Sequence, residues 1–364
     1  MSTFTELLQI SVGKRAGFSR QPSHDEWHEL FALSKRHALL GITFHAIEQL
    51  PIEQRPPRQL LLKWGVHAES IVERNKFLNG KVIELSQDLR NDGFCNVILK
   101  GQGVAQYYQV AGLELYRTPG DVDLWLDGSR KEIIDYVRRH SSKCKIVYHH
   151  VDFPKMDGVD VELHFTPSWM NSPITNYRLQ RYFEQQRRSL FDKQSNIPDI
   201  PMPDVEFNRV YILLHIYRHL FHTGIGLRQF MDYYFVLQQG FTPEERRTTI
   251  DIIRKLGMER FASAVMWVMQ ELFCLDPQYA ITPPDRVYGE SLLNEIMVAG
   301  NLGMHDTSIS HKRGESPLSH GVRKVRRTMR FIQTYPSEVL WGPIFKIWHY
   351  VWRKTVNNNL SIHV

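Results

Sequence analysis

Apolar side chains recur at intervals of three and four residues through residues 1–90, for example at Trp27, Leu30 and Phe31. This spacing predicts helices, because residues three and four positions apart lie on the same helix face. The longest of these helices is expected from about residue 58 to residue 90. The N-terminal region is therefore predicted to be helical.

The pattern changes to short alternating runs between residues 91 and 166, where side chains switch between apolar and polar at every second position. Such alternation predicts strands with one buried face, and an Asp-Gly pair at 157–158 predicts the turn of a hairpin. The expected elements are strands over Phe94–Leu99 and Val122–Leu126, helices over Val104–Val110 and Arg130–His140, and a hairpin of Lys145–Phe153 with Val159–Phe165.

A proline-bearing connection over residues 167–203 precedes a second helical region, which is interrupted by a polar loop at 300–317. Helices are predicted over Phe207–Phe221, Leu227–Gln238, Glu244–Leu256, Arg260–Leu272, Gly289–Ala299, Val322–Gln333 and Glu338–Thr355. The expected fold class is α+β. A small sheet-containing core of residues 91–200 is flanked by a helical region at 1–90 and a helical domain at 201–364.

The composition is that of a globular protein, with 42% hydrophobic and 23% charged residues, which excludes a largely disordered chain. The length of 364 residues predicts more than one packed core. Three widely spaced cysteines exclude a disulfide scaffold and a CxxC zinc site. We expect a cytoplasmic protein without a signal peptide or a transmembrane segment, since no apolar run approaches roughly 20 residues.

The net charge of +6 is modest, and its densest contribution is the basic run at residues 322–330. Phe345, Trp348 and Trp352 then share one helix face. Together these features fit a surface that binds a membrane or a polyanion, a solvated helix face over a packed one, or a basic wall around an acceptor that carries phosphates. The short, apolar-interleaved run favours the solvated helix face.

Candidate chemistry begins with two acids on the predicted strand at residues 121–126. Val122 and Leu124 point toward the core, so Asp121 and Asp123 point together to the other face. Two neighbouring carboxylates repel each other unless a cation bridges them. Oxygen ligands of this kind suit Mg²⁺ or Mn²⁺ rather than zinc.

A third acid is expected from the strand at residues 159–165, whose polar face carries Asp160, Glu162 and His164. If this strand lies beside the first, Glu162 completes a three-carboxylate cluster of the type that holds two metal ions in phosphoryl transfer. Asp160 shares the same face and remains the alternative to Glu162.

The segment Leu99-Lys100-Gly101-Gln102-Gly103 lies between a predicted strand and a predicted helix. Backbone N–H groups in such a glycine-rich turn can receive a triphosphate. Lys100 adds a positive charge at the same place.

The order of these motifs resembles the nucleotidyltransferases of the DNA polymerase β-like superfamily. The Leu-Lys-Gly turn, Arg117-x-x-Gly-Asp-x-Asp-Leu and Glu-Leu-His resemble more narrowly a bacterial group of uncharacterised nucleotidyltransferases. The similarity covers about residues 91–166 and, more weakly, 209–237. It implies that Asp121, Asp123 and Glu162 are catalytic metal ligands, and that the loop from Lys100 to Gly103, including Gln102, binds the triphosphate.

Two arginines are weaker candidates for nucleotide contacts. Arg117 lies four residues before Asp121 and could clamp a phosphate, or form a salt bridge that holds the acid-bearing loop. Arg228, which the resemblance places near the active site, could contact the nucleotide or pair with Asp232, four residues later on one helix face.

Three histidines, at positions 215, 219 and 222, lie on or directly after one predicted helix. They could hold zinc, line the nucleotide cleft or pack in the core. The zinc interpretation is the weakest, because the His-Glu-x-x-His motif and a fourth ligand are both missing.

The resemblance and the acids together predict an Mg²⁺- or Mn²⁺-dependent enzyme with an NTP co-substrate. It would move an NMP group to an unidentified acceptor hydroxyl and release pyrophosphate. The acceptor is expected to be a small molecule, a sugar phosphate or a peptide or protein, rather than a nucleic acid. The alternative is a nucleotide-binding sensor with the same fold and little turnover.

Overall fold

The computed structural model describes residues 2–141, 144–156, 158–192, 198–301 and 317–359. The helices are α1 (Thr3–Ser11), α2 (His24–Arg36), α3 (Leu40–Glu48), α4 (Arg58–Asn91), α5 (Gln102–Ala105), α6 (Arg130–His140), α7 (Pro173–Asp192), α8 (Val205–His222), α9 (Leu227–Leu237), α10 (Pro243–Lys255), α11 (Glu259–Phe273), α12 (Arg286–Ala299), α13 (Pro317–Met329) and α14 (Pro336–Asn359). The strands are β1 (Asn96–Ile98), β2 (Val122–Leu126), β3 (His150–Met156) and β4 (Val159–His164). The predicted α+β class, with a small sheet and helical flanks, is confirmed.

The four strands form one mixed sheet in the order β1-β2-β4-β3. β1 runs antiparallel to β2, β2 runs parallel to β4, and β4 runs antiparallel to β3. The predicted hairpin is therefore present as β3 and β4, although Asp157 of its turn lies outside the described residues. The same is true of residues 302–316 in the predicted polar loop.

The described residues divide into two compact units. Unit 1 combines residues 1–77, 105–119 and 208–320, and unit 2 combines residues 78–104, 120–207 and 321–364. Each unit has its own buried core. In unit 1, for example, Trp27 and Trp64 are almost fully buried and meet edge to face at 6.3 Å. Unit 2 contains the whole sheet.

The core of unit 2 forms on the inward face of the sheet, where Val122, Leu124 and Leu126 of β2 are buried. The opposite face is covered as well, because all five residues of β2 are buried. Trp125 lies there between Phe191, 5.3 Å away, and Phe207, 5.7 Å away. A buried second face differs from the solvated face that strict alternation predicts.

The helix that helps to cover this face, α7, was not predicted from the sequence. Its twenty residues fall within the stretch interpreted as a proline-bearing connection, so that interpretation is wrong for residues 173–192. Pro173 is the first residue of the helix, a position where proline is favourable because no N–H is needed there. Leu179 and Phe183 are buried. The proline marks a helix start rather than a loop.

Within the described residues, no helix is both long enough and apolar enough to cross a lipid bilayer.

The close approach of α5 to β1 predicts opposite effects for two glycine substitutions in unit 2. A Cβ on Gly103 would lie 2.5 Å from the backbone oxygen of Ile98, whereas a Cβ on Gly80 in α4 would meet nothing within 4 Å. Gly103→Ala should lower the free energy of unfolding by about 1–3 kcal/mol through overpacking. Gly80→Ala should raise it by about 0.5–1 kcal/mol, as expected in a helix interior.

Urea denaturation of both variants, followed by circular dichroism, measures this difference. Equal stability of the two variants would contradict the packing described for Gly103.

Candidate active site

The acids of β2 and β4 face each other because these strands are parallel neighbours in register. Asp123 lies opposite Glu162, and Trp125 lies opposite His164. Asp121 directly precedes β2 and interacts electrostatically with Asp123 and Glu162. The structure therefore brings together the three carboxylates that the sequence singled out.

Asp123 is the buried member of this cluster, with only 1% of its surface exposed. Its Oδ1 lies 2.9 Å from the ammonium of Lys100 and 2.9 Å from Nε2 of His164. Burial opposes ionisation of the carboxyl, but Lys100 and His164 outweigh it and hold the pKa of Asp123 below its usual value. Asp123 is thus a buried carboxylate that two cationic groups keep ionised.

Glu162 lies nearer the solvent, with a quarter of its side chain exposed. Its Oε2 is 3.0 Å from Nδ1 of His150 and 3.3 Å from Nε2 of His164. Burial again opposes ionisation, but these two histidines hold the pKa of Glu162 well below its ordinary value. His150 also approaches Asp152 of β3, with 3.3 Å between Nε2 and Oδ1.

Asp121 shows the repulsion expected of paired acids. The negative charge of Asp123 raises the pKa of Asp121, and the nearby Lys100 only partly offsets this effect. The site therefore retains negative charge that its own side chains do not fully neutralise.

The chemistry of this cluster fits a divalent cation. Oδ2 of Asp123 and Nδ1 of His164 are buried and have no hydrogen-bond partner among the described residues. One ligand atom each from Asp123, Glu162 and His164 lies within 4.8 Å of the others. Orphaned buried acceptors are rare in folded proteins, so a bound cation would explain the free oxygen. Carboxylate oxygens suit Mg²⁺ and Mn²⁺, and the imidazole of His164 could join them only in its neutral form.

Histidine is the feature of the site that sequence reasoning underestimated. His164 was noted on the polar face of its strand and in the Glu-Leu-His motif, without a role of its own, and His150 was not singled out. The described residues also bring His149, His150 and His164 within reach of one another as a possible metal group. The adjacent pair His149-His150 in a predicted strand was the available signal.

The predicted phosphate loop lies beside the acids. Gly101 has φ of 52°, in the left-handed region that favours glycine, and a Cβ there would lie 3.5 Å from the backbone oxygen of Asp121. Gln102 is only 3% exposed, so its side chain does not project into solvent. The Lys100 side chain contacts Asp123 and is 20% exposed.

The two candidate arginines belong to unit 1. Arg117 is buried and donates two hydrogen bonds to Asp232, from Nε at 2.6 Å and from Nη2 at 2.8 Å. Tyr108 donates a third hydrogen bond to Asp232 at 2.6 Å. Arg228 donates from Nη1 to the backbone oxygens of Thr118 and Pro119. These contacts agree with the interpretation of Arg117 as a salt-bridge residue. The partner of Asp232 is Arg117, whereas the sequence had suggested Arg228.

The three histidines near the end of α8 also belong to unit 1. The rings of His215 and His219 meet at 4.3 Å, with 3.1 Å between their Nε2 atoms. Among the described residues, no group of three possible metal ligands includes them.

His164 predicts a pH-dependent contribution to stability. Burial opposes protonation of its ring, but the hydrogen bonds to Asp123 and Glu162 outweigh burial and raise the pKa of His164. Such a group stabilises the fold fully below its unfolded pKa of about 6.5, and the stabilisation is lost as the pH rises through the higher folded pKa. His164→Gln should therefore lower the free energy of unfolding more at about pH 5.5 than at about pH 9.

Urea denaturation of both proteins in metal-free buffer tests this expectation. A stability difference that stays constant between the two pH values would contradict it.

The buried pair of Arg117 and Asp232 predicts a large loss on substitution. Asp232→Asn leaves the guanidinium buried without a counter-charge, which should cost about 3–5 kcal/mol of unfolding free energy. The matched control is Glu290→Gln, which breaks an exposed pair with Arg286 in the same unit and should cost less than about 1 kcal/mol. Equal losses of unfolding free energy in the two variants, measured by thermal or urea unfolding, would show that the buried pair stabilises the fold no more than the exposed one.

Comparison with known proteins extends this picture beyond the site. The model of a protein family described as uncharacterised nucleotidyltransferase matches residues 23–274. That range spans more than two thirds of the 364 residues and includes every acid of the cluster. No curated protein and no solved structure matches the chain. On the family match, the chain belongs to the family of uncharacterised nucleotidyltransferases.

Proposed function

We propose that the protein is a metal-dependent nucleotidyltransferase that moves an NMP group from an NTP to an acceptor hydroxyl and releases pyrophosphate. The observation that supports this most is the pairing of Asp123 with Glu162 beside Asp121. One buried carboxylate oxygen of Asp123 has no hydrogen-bond partner within the part of the chain that the structure describes. The similarity of the motif order to the DNA polymerase β-like superfamily supports the same reaction.

Asp121, Asp123 and Glu162 would hold Mg²⁺ or Mn²⁺. The ring of His164 lies within reach of the same group, but it would have to lose its proton before it could act as a ligand. When bound, the cation would polarise the phosphoryl group and lower the pKa of an attacking hydroxyl. The surplus negative charge that raises the pKa of Asp121 favours such binding.

The protein's own groups divide the remaining tasks. The loop from Gly101 to Gly103 would receive the triphosphate, and Lys100 would supply positive charge next to it. The N–H groups of Gly101 and Gln102 are the proposed donors, because the N–H of Gly103 donates to the backbone oxygen of Lys100 at 2.9 Å.

Glu162 is more exposed than Asp123 and less exposed than Asp121, and we place it on the side of the group that faces the acceptor. Its lowered pKa makes it a weak proton acceptor, so the hydroxyl proton would pass on to solvent. His150 holds Glu162 in orientation through the 3.0 Å contact.

Arg117 and Arg228 are weaker candidates for direct nucleotide contacts, because both side chains already have protein partners. Arg117 is fully engaged with Asp232, so a phosphate would have to replace a bidentate carboxylate. Arg228 orders the backbone of Thr118 and Pro119, the residues that lead to Gly120 and Asp121 in the chain. We assign both arginines to holding this loop.

The acceptor is proposed to be a small molecule, a sugar phosphate or a peptide or protein side chain. Outside residues 317–359 the chain has 37 basic and 38 acidic residues. This near-neutral balance in the part that carries the acids does not favour a long polyanion, whose binding depends on many cationic contacts.

The alternative function is a nucleotide sensor with little turnover. One observation favours it: Lys100 and two histidines already lie against Asp123 and Glu162. Side chains that the protein itself places against these oxygens compete with a metal for them, which would weaken metal binding and slow catalysis.

Pyrophosphate release tests the enzyme hypothesis. The purified protein is incubated with each labelled NTP, Mg²⁺ or Mn²⁺ and pools of candidate acceptors. Wild type should release pyrophosphate and label a product with NMP, and Asp121→Asn with Asp123→Asn should lower the rate by about a hundredfold or more.

Two further variants separate the competing third acids. Glu162→Gln should reduce the rate as strongly as loss of a metal ligand, whereas Asp160→Asn removes an exposed acid from the same strand and should leave the rate near that of wild type. A larger rate loss in Asp160→Asn than in Glu162→Gln would make Asp160 the third carboxylate of the site. If wild type binds nucleotide but releases pyrophosphate no faster than the double variant of Asp121 and Asp123, the result would support the sensor function instead.

A further inference from the structure

Helix α14 of unit 2 presents a continuous apolar stripe to the outside. Leu340, Ile344, Ile347 and Val351 are 57%, 54%, 67% and 57% exposed. They recur at intervals of four, three and four residues, which places them on one helix face. Four large aliphatic side chains in a row on the surface form an exposed patch rather than isolated surface residues.

The orientation of this stripe is set by packing on the other side of α14. Phe345 lies 5.8 Å from the ring of Tyr148, and Trp352 lies 6.5 Å from it. The backbone N–H of Tyr148 donates to Nε2 of His349 at 3.2 Å, and the guanidinium of Arg130 lies 5.2 Å over the ring of Trp352. These contacts hold one face of the helix, so the aliphatic stripe stays outward.

Both borders of the stripe carry side chains that suit an interface between water and hydrocarbon. Trp341 and Trp348, seven residues apart on one border, are 38% and 46% exposed. The other border carries Lys346, Tyr350 and Lys354 at intervals of four residues, with Tyr350 52% exposed. Tryptophan and tyrosine concentrate at headgroup level in membrane proteins, and lysine reaches toward the headgroups.

The charge of this part of the chain is strongly one-sided. Residues 317–359 contain eight Lys or Arg and a single acid, Glu338. That acid is buried and accepts hydrogen bonds from the backbone N–H groups of Asn171 and Ser172. The net +7 of the segment exceeds the +6 of the whole chain, so the basic character of the protein is concentrated here.

Helix α13 adds to the same positive region. Val322, Val325 and Met329 are exposed at intervals of three and four residues among its basic side chains. The pKa of Lys346 is lowered, first by partial burial and then by the nearby charges of Lys324 and Arg327. Cations from both helices therefore gather close enough to repel one another.

We propose that α13 and α14 form a surface that binds an anionic lipid bilayer. Acidic headgroups would neutralise the clustered lysines and arginines, and the stripe of α14 would enter the boundary of the acyl chains. A nucleic acid would satisfy the charge but would leave the four aliphatic side chains in water, so the observations favour the bilayer. This proposal takes up the membrane-surface interpretation of the region rather than the solvated face that the sequence favoured.

This surface lies outside residues 23–274, the range that the family model matches. Membrane binding is independent of the proposed reaction, and each can fail without the other.

Vesicle flotation with the full-length protein tests the proposal. The vesicles are phosphatidylcholine alone or a roughly 7:3 mixture of phosphatidylcholine and phosphatidylglycerol, which carries an anionic surface. Wild type should float with the anionic vesicles at about 0.1 M salt and lose most of its binding at about 0.5 M, where surface charges are screened. Failure to float with anionic vesicles would overturn the proposal.

The decisive variant is Ile344→Glu with Ile347→Glu, which changes the centre of the stripe. Loss of two apolar contacts and gain of two negative charges should lower the partition coefficient by about tenfold or more. The matched control is Val287→Glu with Val298→Glu on α12, where the side chains are 75% and 56% exposed. The control has the same charge change and should stay within about twofold of wild type.

Three other results would overturn the membrane assignment. An equal loss of vesicle binding in the α12 control would show that the effect of the stripe variant comes from net charge alone. Tighter binding to an oligouridine RNA than to the vesicles, unchanged by the stripe variant, would make the surface a polyanion site. Concentration-dependent dimerisation that the stripe variant abolishes, measured by sedimentation equilibrium without lipid, would assign the stripe to a second copy of the chain.

Discussion

The ionised carboxylate of Asp123, buried in the middle of a sheet, is the constraint on which the site depends. A buried carboxylate without partners would carry a penalty of several kcal/mol. Lys100 and His164 compensate this charge at 2.9 Å, and they come from opposite neighbours of β2. Lys100 follows β1, and His164 ends β4. The strand order β1-β2-β4 therefore places one positive group on each side of the Asp123 carboxylate.

The same constraint connects the fold to chemistry. Burying Asp123 leaves Oδ2 without a hydrogen-bond partner among the described residues, and Asp121 stands next to it with its own charge only partly offset. A site with unmatched negative charge beside a glycine turn suits a cation that carries a triphosphate. The lysine and the histidines keep the carboxylates of the cluster ionised, but they also compete with a bound cation for the carboxylate oxygens.

Local patterns were sufficient to predict the elements that carry the acids, because alternation in β2 and β4 determines which side chains share a face. They did not show that Pro173 begins the helix α7, since the same residue type also ends helices and opens loops. The partners of the charged groups were beyond local patterns. His150 meets Glu162 only through the β3–β4 register, and Arg117 meets Asp232 across 115 positions of sequence. Such pairings follow from tertiary packing, which spacing alone does not specify.

The most direct measurement of the central claim is the affinity of the purified protein for Mn²⁺, read by electron paramagnetic resonance with and without NTP. We expect saturable Mn²⁺ binding that NTP strengthens. Asp123→Asn should weaken it by about tenfold or more, since a ligand oxygen and a buried charge are lost together. Mn²⁺ affinity that is unchanged in Asp123→Asn would contradict the assignment of this cluster as the metal and nucleotide site.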